Sequence, residues 1–363
     1  MNKLYSPFVK TKRGEARALQ ELDAVTKAKL LPLFDVLALS SRGEISPDVA
    51  KHLSKQAKMI QMAWAESGEC YVDLFDIQPS VRLPDGGHPL HFVLNELDAA
   101  KVNYIPVVGL ARDIGYLVAM QSVLQNATTI AVRLEVEDLL LPAGLSLRID
   151  ELLRSLGARN LPLHIILDCR SLLNQDVAKI ASAARASITE TLTLSAVRTT
   201  LAASSMVSDM GSFKRNSINR VKRRDLELWM TLAQSGFPYL CYGDYGVIHP
   251  DFVDLDGALI KPAAKIRYAS HAEWIVVKGF RWVDDTSQHH QLAISLQGCS
   301  EYRGGDCPGG NYIETAIAGR DKYGTLETWV TIDQSVHISL TRKQVERVLA
   351  PIQAASTSTT AAR

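Results

Sequence analysis

The chain has no Gly-x-Ser-x-Gly elbow, no His-Glu-x-x-His pair and no paired Cys-x-x-Cys, so the hydrolase and zinc chemistries easiest to read from a sequence lack their signatures. Its most glycine-rich stretch, Gly304-Gly-Asp-Cys-Pro-Gly-Gly310-Asn-Tyr-Ile, lacks a Gly-Lys-Ser/Thr ending and a strand feeding a helix, so a tight turn is expected rather than a phosphate loop. No apolar run reaches the roughly 18 residues a membrane span needs, and the opening Met-Asn-Lys-Leu-Tyr-Ser-Pro-Phe lacks the apolar core of a signal peptide. The expected compartment is the cytoplasm. Neither charge dominates: 40 Lys and Arg stand against 39 Asp and Glu, so the whole-chain field gives no general drive toward nucleic acid or anionic lipid. The five cysteines, Cys70, Cys169, Cys241, Cys299 and Cys307, are scattered and odd in number, which argues for reduced thiols over a disulfide framework. No cofactor and no metal site is assigned.

What the sequence does have is a rhythm. Short β-type runs, several ending in a charged residue, alternate with helical stretches: Tyr5-Ser-Pro-Phe-Val-Lys10, Leu31-Pro-Leu-Phe-Asp35, Tyr71-Val-Asp-Leu-Phe-Asp76, Ile130-Ala-Val-Arg-Leu-Glu135 and His164-Ile-Ile-Leu-Asp168. Further strands are expected at 104–110, at 191–196 and at 238–242, with a long helix opened by Ser46-Pro47 and a basic helix over 213–235. Eight such alternations within about 250 residues predict a (β/α)8 TIM-like barrel over 1–250, with an open doubly wound sheet as the alternative. Strand-like segments at 266–268, 274–277, 291–296, 313–318, 328–332 and 336–340 predict a C-terminal β-rich extension over 251–350. A short helix at 342–349 is expected to close it. The Ala/Ser/Thr-rich residues 351–363 have too little apolar content to order themselves.

Parallel barrels carry function at the carboxyl ends of their strands, so Lys10, Asp35, Asp73 or Asp76, Arg133, Glu135 and Asp168 are the candidate mouth residues. Strand parity puts Arg133 and Glu135 on one face and Asp73 and Asp76 on opposite faces, so only one of those two aspartates is expected to face the lumen. Such a ring is either an ion-paired layer that fixes packing, a pocket for a phosphate, metal or charged group, or a catalytic centre. Asp35, Asp73 and Asp168 offer a weak oxygen-rich set of the kind that suits magnesium. The adjacent His289 and His290 are expected to be solvated. The segment Lys214-Arg-Asn-Ser-Ile-Asn-Arg-Val-Lys-Arg-Arg224 carries six basic residues without an acid, and as a helix it is an outer solvated face first and a nucleic-acid contact second, having no interleaved aromatics.

Tyr5-x-Pro-Phe-Val-Lys10 with Gly14-Glu15 and Ala18-Leu19, followed by Leu31-Pro-Leu-Phe-Asp35, resembles the start of the phage Beta protein family. Ile266-Arg-Tyr268 with Glu273-Trp274, Gly310-Asn-Tyr-Ile313, and Thr328-Trp329 leading to His337 are similar too, which makes Trp274, Trp329 and His337 the candidates of the C-terminal region. The second strand ends in Asp35 where the family leads one to expect Glu, and Ser335-Val336-His337 replaces a more histidine-rich ending. The resemblance implies a role beside the killer protein Gop, encoded in the same phage or prophage cassette, with this chain preventing that protein from killing the bacterial host. It brings no catalytic residues. A non-enzymatic immunity protein is therefore expected first. An enzyme of hydrolase or phosphodiesterase type, acting at the mouth on a phosphorylated or nucleotide-like compound, is the competing expectation.

Overall fold

A computed structural model describes residues 3–38, 49–251, 262–319 and 322–361, with side chains described as far as residue 351. The strands are β1 (Tyr5–Lys10), β2 (Leu33–Asp35), β3 (Cys70–Asp73), β4 (Tyr104–Gly109), β5 (Ile130–Leu134), β6 (Leu163–Ser171), β7 (Arg198–Ser204), β8 (Ser217–Lys222), β9 (Cys241–Asp244), β10 (Ala263–Ala269) and β11 (Glu273–Arg281). The first helices are α1 (Arg13–Gln20), α2 (Ala24–Lys27), α3 (Val49–Trp64), α4 (Pro89–Ala99), α5 (Ile114–Val123) and α6 (Val136–Leu140). They are followed by α7 (Leu145–Ser155), α8 (Val177–Thr191), α9 (Arg224–Gln234), α10 (His289–Gln297), α11 (Pro308–Ile317) and α12 (Leu326–Ala361).

Strands β1 to β7 and β9 form a closed parallel barrel, with β1 pairing to β2 on one side and to β9 on the other. Runs such as Ile-Pro-Val-Val in β4 and Ile-Ile-Leu in β6 are buried on both faces, as a barrel wall covered by helices requires. Phe8, Leu33, Tyr71, Ile105, Val107, Ala131, Ile166, Ala202 and Tyr245 fill the interior, so the barrel is a packed core and not a pore. Space there is short: a Cβ on Gly243 would lie 3.0 Å from that of Ala202 and 3.2 Å from the Phe8 ring.

A second sheet, antiparallel and ordered β10-β11-β8, carries the extension. Its outer strand β8 falls between β7 and β9 in sequence, so the extension takes one strand from within the barrel's own stretch of chain. Ile266, Tyr268, Ile275 and Val277 of this sheet pack on Leu292 and Leu296 of α10, Ile313 of α11 and Trp329, Ile332 and Val336 of α12. Farther along α12, Ile338, Val345 and Leu349 join the core between barrel and helices. One helix thus serves both cores.

Several expected elements come out differently. Residues 191–196 are the end of α8 and a short 3-10 turn (Leu192–Leu194), and the seventh barrel strand lies at Arg198–Ser204. The alternation Thr-Leu-Thr-Leu imitates a strand, yet Leu192 is 64% exposed. The basic helix expected over 213–235 is the strand β8 followed by α9, and alternate residues of β8 face solvent. In the extension, 266–268 and 274–277 are strands as expected, but 291–296 lie in α10, 313–317 in α11, and 328–332 and 336–340 in α12. The β-branched residues of α12 suggest a strand by propensity; burial of Trp329, Ile332 and Val336 at helical spacing overrides it. The backbone of α12 continues to Ala361 through most of the segment expected to lack order. The expected helix start at Ser46-Pro47 lies outside the described residues; α3 begins at Val49. All five cysteines are free and buried. Among the described residues, no helix is long and apolar enough to cross a membrane.

Candidate functional site: the barrel mouth and its seam with the extension

Lys10, Asp35 and Asp73 end β1, β2 and β3, and the parallel register sets Lys10 beside Asp35 and Asp35 beside Asp73. Across the lumen Arg133 rises from β5, fully buried, and its guanidinium is where the carboxylates converge. Nη1 donates to Asp35 at 2.7 Å and to Asp73 at 2.8 Å, Nε and Nη2 donate to Asp168 Oδ2 at 3.0 and 2.7 Å, and Nη2 also donates to the Tyr245 hydroxyl at 2.8 Å. That hydroxyl donates to Asp168 at 2.5 Å. Lys10 Nζ reaches Asp35 at 3.3 Å and Asp76 at 2.5 Å, and Arg112 bridges both oxygens of Asp73 at 2.9 Å. Burial alone would raise the Asp35 carboxyl; Arg133 and Lys10 overcome it and hold the group well below the ordinary carboxylate range. Burial likewise pulls down on Lys10, but Asp35 and Asp76 raise it above the ordinary lysine value.

Phe75 caps the cluster. The guanidinium carbons of Arg112, Arg133 and Arg170 lie 5.0, 4.6 and 4.8 Å from its ring centre, a threefold cation–π contact. Arg170 sits just past Asp168 in the left-handed region (φ 52°), and its backbone N–H donates to Asp168 Oδ1 at 2.9 Å. Backbone strain at a barrel mouth is held there by that bond and by the side chain's contacts with Pro250 and Asp251.

Lys10, Asp35, Asp73, Arg133 and Asp168 are thus brought into direct contact. Glu135 is not: β5 stops at Leu134, and Glu135 begins α6, half-buried, its backbone N–H donating to Asp138 at 3.1 Å. Strand parity fails for Asp73 and Asp76 for the same reason. β3 ends at Asp73, the chain turns, and both aspartates join the cluster. Arg112, Arg170 and Tyr245 were not among the expected residues. Arg112 and Tyr245 lie three residues and one residue beyond the ends of β4 and β9, and Arg170 lies in the last residues of β6, two past Asp168, so reading each strand a few residues further would have found them.

The C-terminal candidates lie in a second buried cluster, between barrel and extension. His337 of α12 places Nε2 2.8 Å from Asp244 Oδ2 at the end of β9, and its ring stacks on Trp274 of β11 at 4.6 Å. Asp244 Oδ1 accepts from the Tyr5 hydroxyl at 2.8 Å, and Arg223 completes the group, donating to Gln344 and Thr341 of α12 at 2.7 and 2.9 Å. His337, Arg223 and Tyr5 hold the Asp244 carboxyl down against the upward push of burial. Trp329 stands apart, stacked 4.4 Å from His289 with its indole N–H on the Tyr323 carbonyl. His289, expected in solvent, is fully buried, and burial pushes its pKa down to about 4.

Behind the mouth Glu15 is 1% exposed, and its Oε2 accepts the Lys10 backbone N–H at 3.0 Å. Burial pushes its pKa up to about 7. A carboxyl raised in the folded state binds a proton that the unfolded chain has already lost, so its stabilising share is complete below the unfolded value and fades as pH rises to about 7. Glu15→Gln is expected to be more stable than the parent at pH 8 by up to about 3 kcal/mol, and similar to it at pH 4.5. Urea unfolding at both values checks this; an equal difference at the two pH values would refute it.

Among the described residues, no group of three or more His, Cys, Asp or Glu is arranged to hold a metal ion; Asp35, Asp73 and Asp168 close on Arg133 instead. No curated protein matches the chain. A family model described as Beta protein matches residues 5–342, which takes in the barrel from its first strand, the extension and nearly the first half of α12. On that match, over nearly its whole length, the chain belongs to the Beta protein family.

Proposed function

We propose that this protein prevents a partner toxin, the Gop-type killer protein of the same phage or prophage cassette, from killing the bacterial host, and that it acts by binding and not by turnover. Family membership supports the first half of this reading. The second half rests on one observation: a guanidinium has five N–H donors, and all five of those on Arg133 are engaged by Asp35, Asp73, Asp168 and Tyr245. A mouth whose central cation is saturated serves as an ion-paired core layer and leaves recognition to the surface. The competing enzyme reading, hydrolysis of a phosphorylated or nucleotide-like compound at the mouth, needs Lys10 and Arg133 to exchange these buried partners for substrate. The toxin-control reading carries a cytoplasmic location with it.

Co-expression with the neighbouring killer gene tests the proposal. Survival of cells making both proteins, with the two co-purifying, is the expected result; continued killing despite soluble protein would sink it. Nucleic-acid binding through the basic segment is a weaker reading, because Arg220 is paired with Glu273 and Glu301 and Arg223 is buried. Lys214, Arg215, Lys222 and Arg224 remain toward solvent.

A further inference from the structure

Between the mouth and the extension lies a cavity of about 430 Å3 that none of the mouth cluster's charged side chains lines. Its walls come from the β1–α1 connection and the first turn of α1, from α3, from β10 and from the start of α12. These walls are fixed to one another. Thr11 Oγ1 donates to Gln56 at 2.6 Å, and Thr331 Oγ1 donates to the Gly14 carbonyl at 2.9 Å. A Cβ on Gly14 would lie 3.1 Å from both Val330 and the Glu327 carbonyl, so glycine lets α1 seat directly on α12.

Three kinds of chemistry meet in this space. Lys265 and Arg267 project from the same face of β10; Arg267 is held by Asp333 and the Val247 carbonyl, both at 2.9 Å, while the Lys265 amine has no ion pair or hydrogen bond among the described residues. The first turn of α1 faces the same cavity, and its cap residue Lys12 offers no side-chain acceptor to the opening N–H groups, which favours an anion there. Glu15 lines the wall with Oε1 buried and without a partner among the described residues, an acceptor in want of a donor. Leu37, Met59, Ile248 and Val330 supply an apolar side. Burial brings the Lys265 ammonium down to about 8, as it brings Glu15 up to about 7, so both groups stand near neutrality as functional groups often do.

An anion, a hydrogen-bond donor and a flat apolar body belong together in one common class of small molecule. We propose that this cavity is a binding site for a mononucleotide, with its phosphate toward Lys265 and the α1 N-terminus, a base or sugar donor on Glu15 and the base along the apolar side. The volume lies at the low end of the range for small-molecule sites, which suits one nucleotide and excludes a dinucleotide or a folded peptide. The site is separate from the mouth cluster, and the inference stands independently of the toxin-control reading.

Calorimetric titration of the full chain with AMP, GMP, CMP and UMP, and with adenosine and inorganic phosphate as partial probes, tests it. At least one mononucleotide is expected to bind one-to-one, about tenfold or more tighter than adenosine or phosphate alone. Lys265→Ala is expected to weaken that binding by about tenfold or more with its urea midpoint unchanged, since the amine it removes has no partner among the described residues; Lys222→Ala, on the far edge of the extension sheet, is expected to change nothing. The inference is overturned if no mononucleotide binds at up to about 5 mM, if phosphate alone binds as tightly, or if folded Lys265→Ala binds like the parent.

Discussion

Arg133→Ala is expected to leave no cooperatively folded protein at neutral pH. Asp35, Asp73 and Asp168 are each at most 1% exposed and converge on this one guanidinium. Removing one partner of a buried ion pair costs about 3–5 kcal/mol, because the remaining charge stays buried without compensation. Lys10 still faces Asp35 and Arg112 still faces Asp73, but Asp168 is left with a phenol and one backbone N–H. Summed over three carboxylates, the loss approaches the whole stability of an ordinary domain, about 5–15 kcal/mol. Circular dichroism and urea unfolding of the variant provide the measurement. The double variant Arg133→Met with Asp168→Asn is expected to recover part of the fold, since it removes the worst-placed charge together with its partner. Should Arg133→Ala unfold within about 1 kcal/mol of the parent, the cluster does not hold the barrel together.

The second large effect lies at the seam. His337→Ala is expected to cost about 3–4 kcal/mol, for it deletes a fully buried ring stacked on Trp274 and takes from Asp244 the partner at 2.8 Å. Because the ring is the link from α12 to the barrel strand β9, the loss should appear locally as well as globally. Protease cleavage within α12 is expected to quicken more than cleavage in the barrel helices. Equal quickening everywhere would mean that His337 contributes general packing and not the docking of α12. The depressed Asp244 carboxyl adds a pH signature: its stabilising contribution is complete above the unfolded value near 4 and disappears as pH falls below it, so the penalty of His337→Ala should shrink in acid.

The barrel was legible because its strands are short apolar runs buried on both faces and punctuated by charge, a pattern that survives without any tertiary information. The same rule found Lys10, Asp35, Asp73, Arg133 and Asp168, all at or within three residues of the ends of their parallel strands. It missed Arg112, Arg170 and Tyr245 because side chains at the folded rim are aimed by its strain and hydrogen bonds and not by strand alternation, as the left-handed Arg170 near the end of β6 illustrates. In α12, Thr328, Val330, Thr331, Ile332, Val336 and Ile338 favour a strand locally, and only two separate cores packed on one rod make a helix of them. The cavity was illegible for a related reason: Glu15 and Lys265 are 250 positions apart and meet only through the packing of α1 and β10 around α12. The toxin-control proposal rests on resemblance to a family, since no spacing in the sequence points to a toxin.

Thr331 closes on the Gly14 carbonyl across 317 residues, and Tyr5 of the first strand pairs with Tyr242 of the last barrel strand. During translation at about 5–20 residues per second, α1 must therefore wait roughly 15–60 s for its partner to be made. Until β9 is made β1 presents an unpaired edge, and until α12 is made α1 presents an uncovered face, so the nascent chain stays prone to aggregation until Thr331 emerges. A message cut short ahead of α12 would yield a chain with every barrel strand and neither of the two cores that α12 completes.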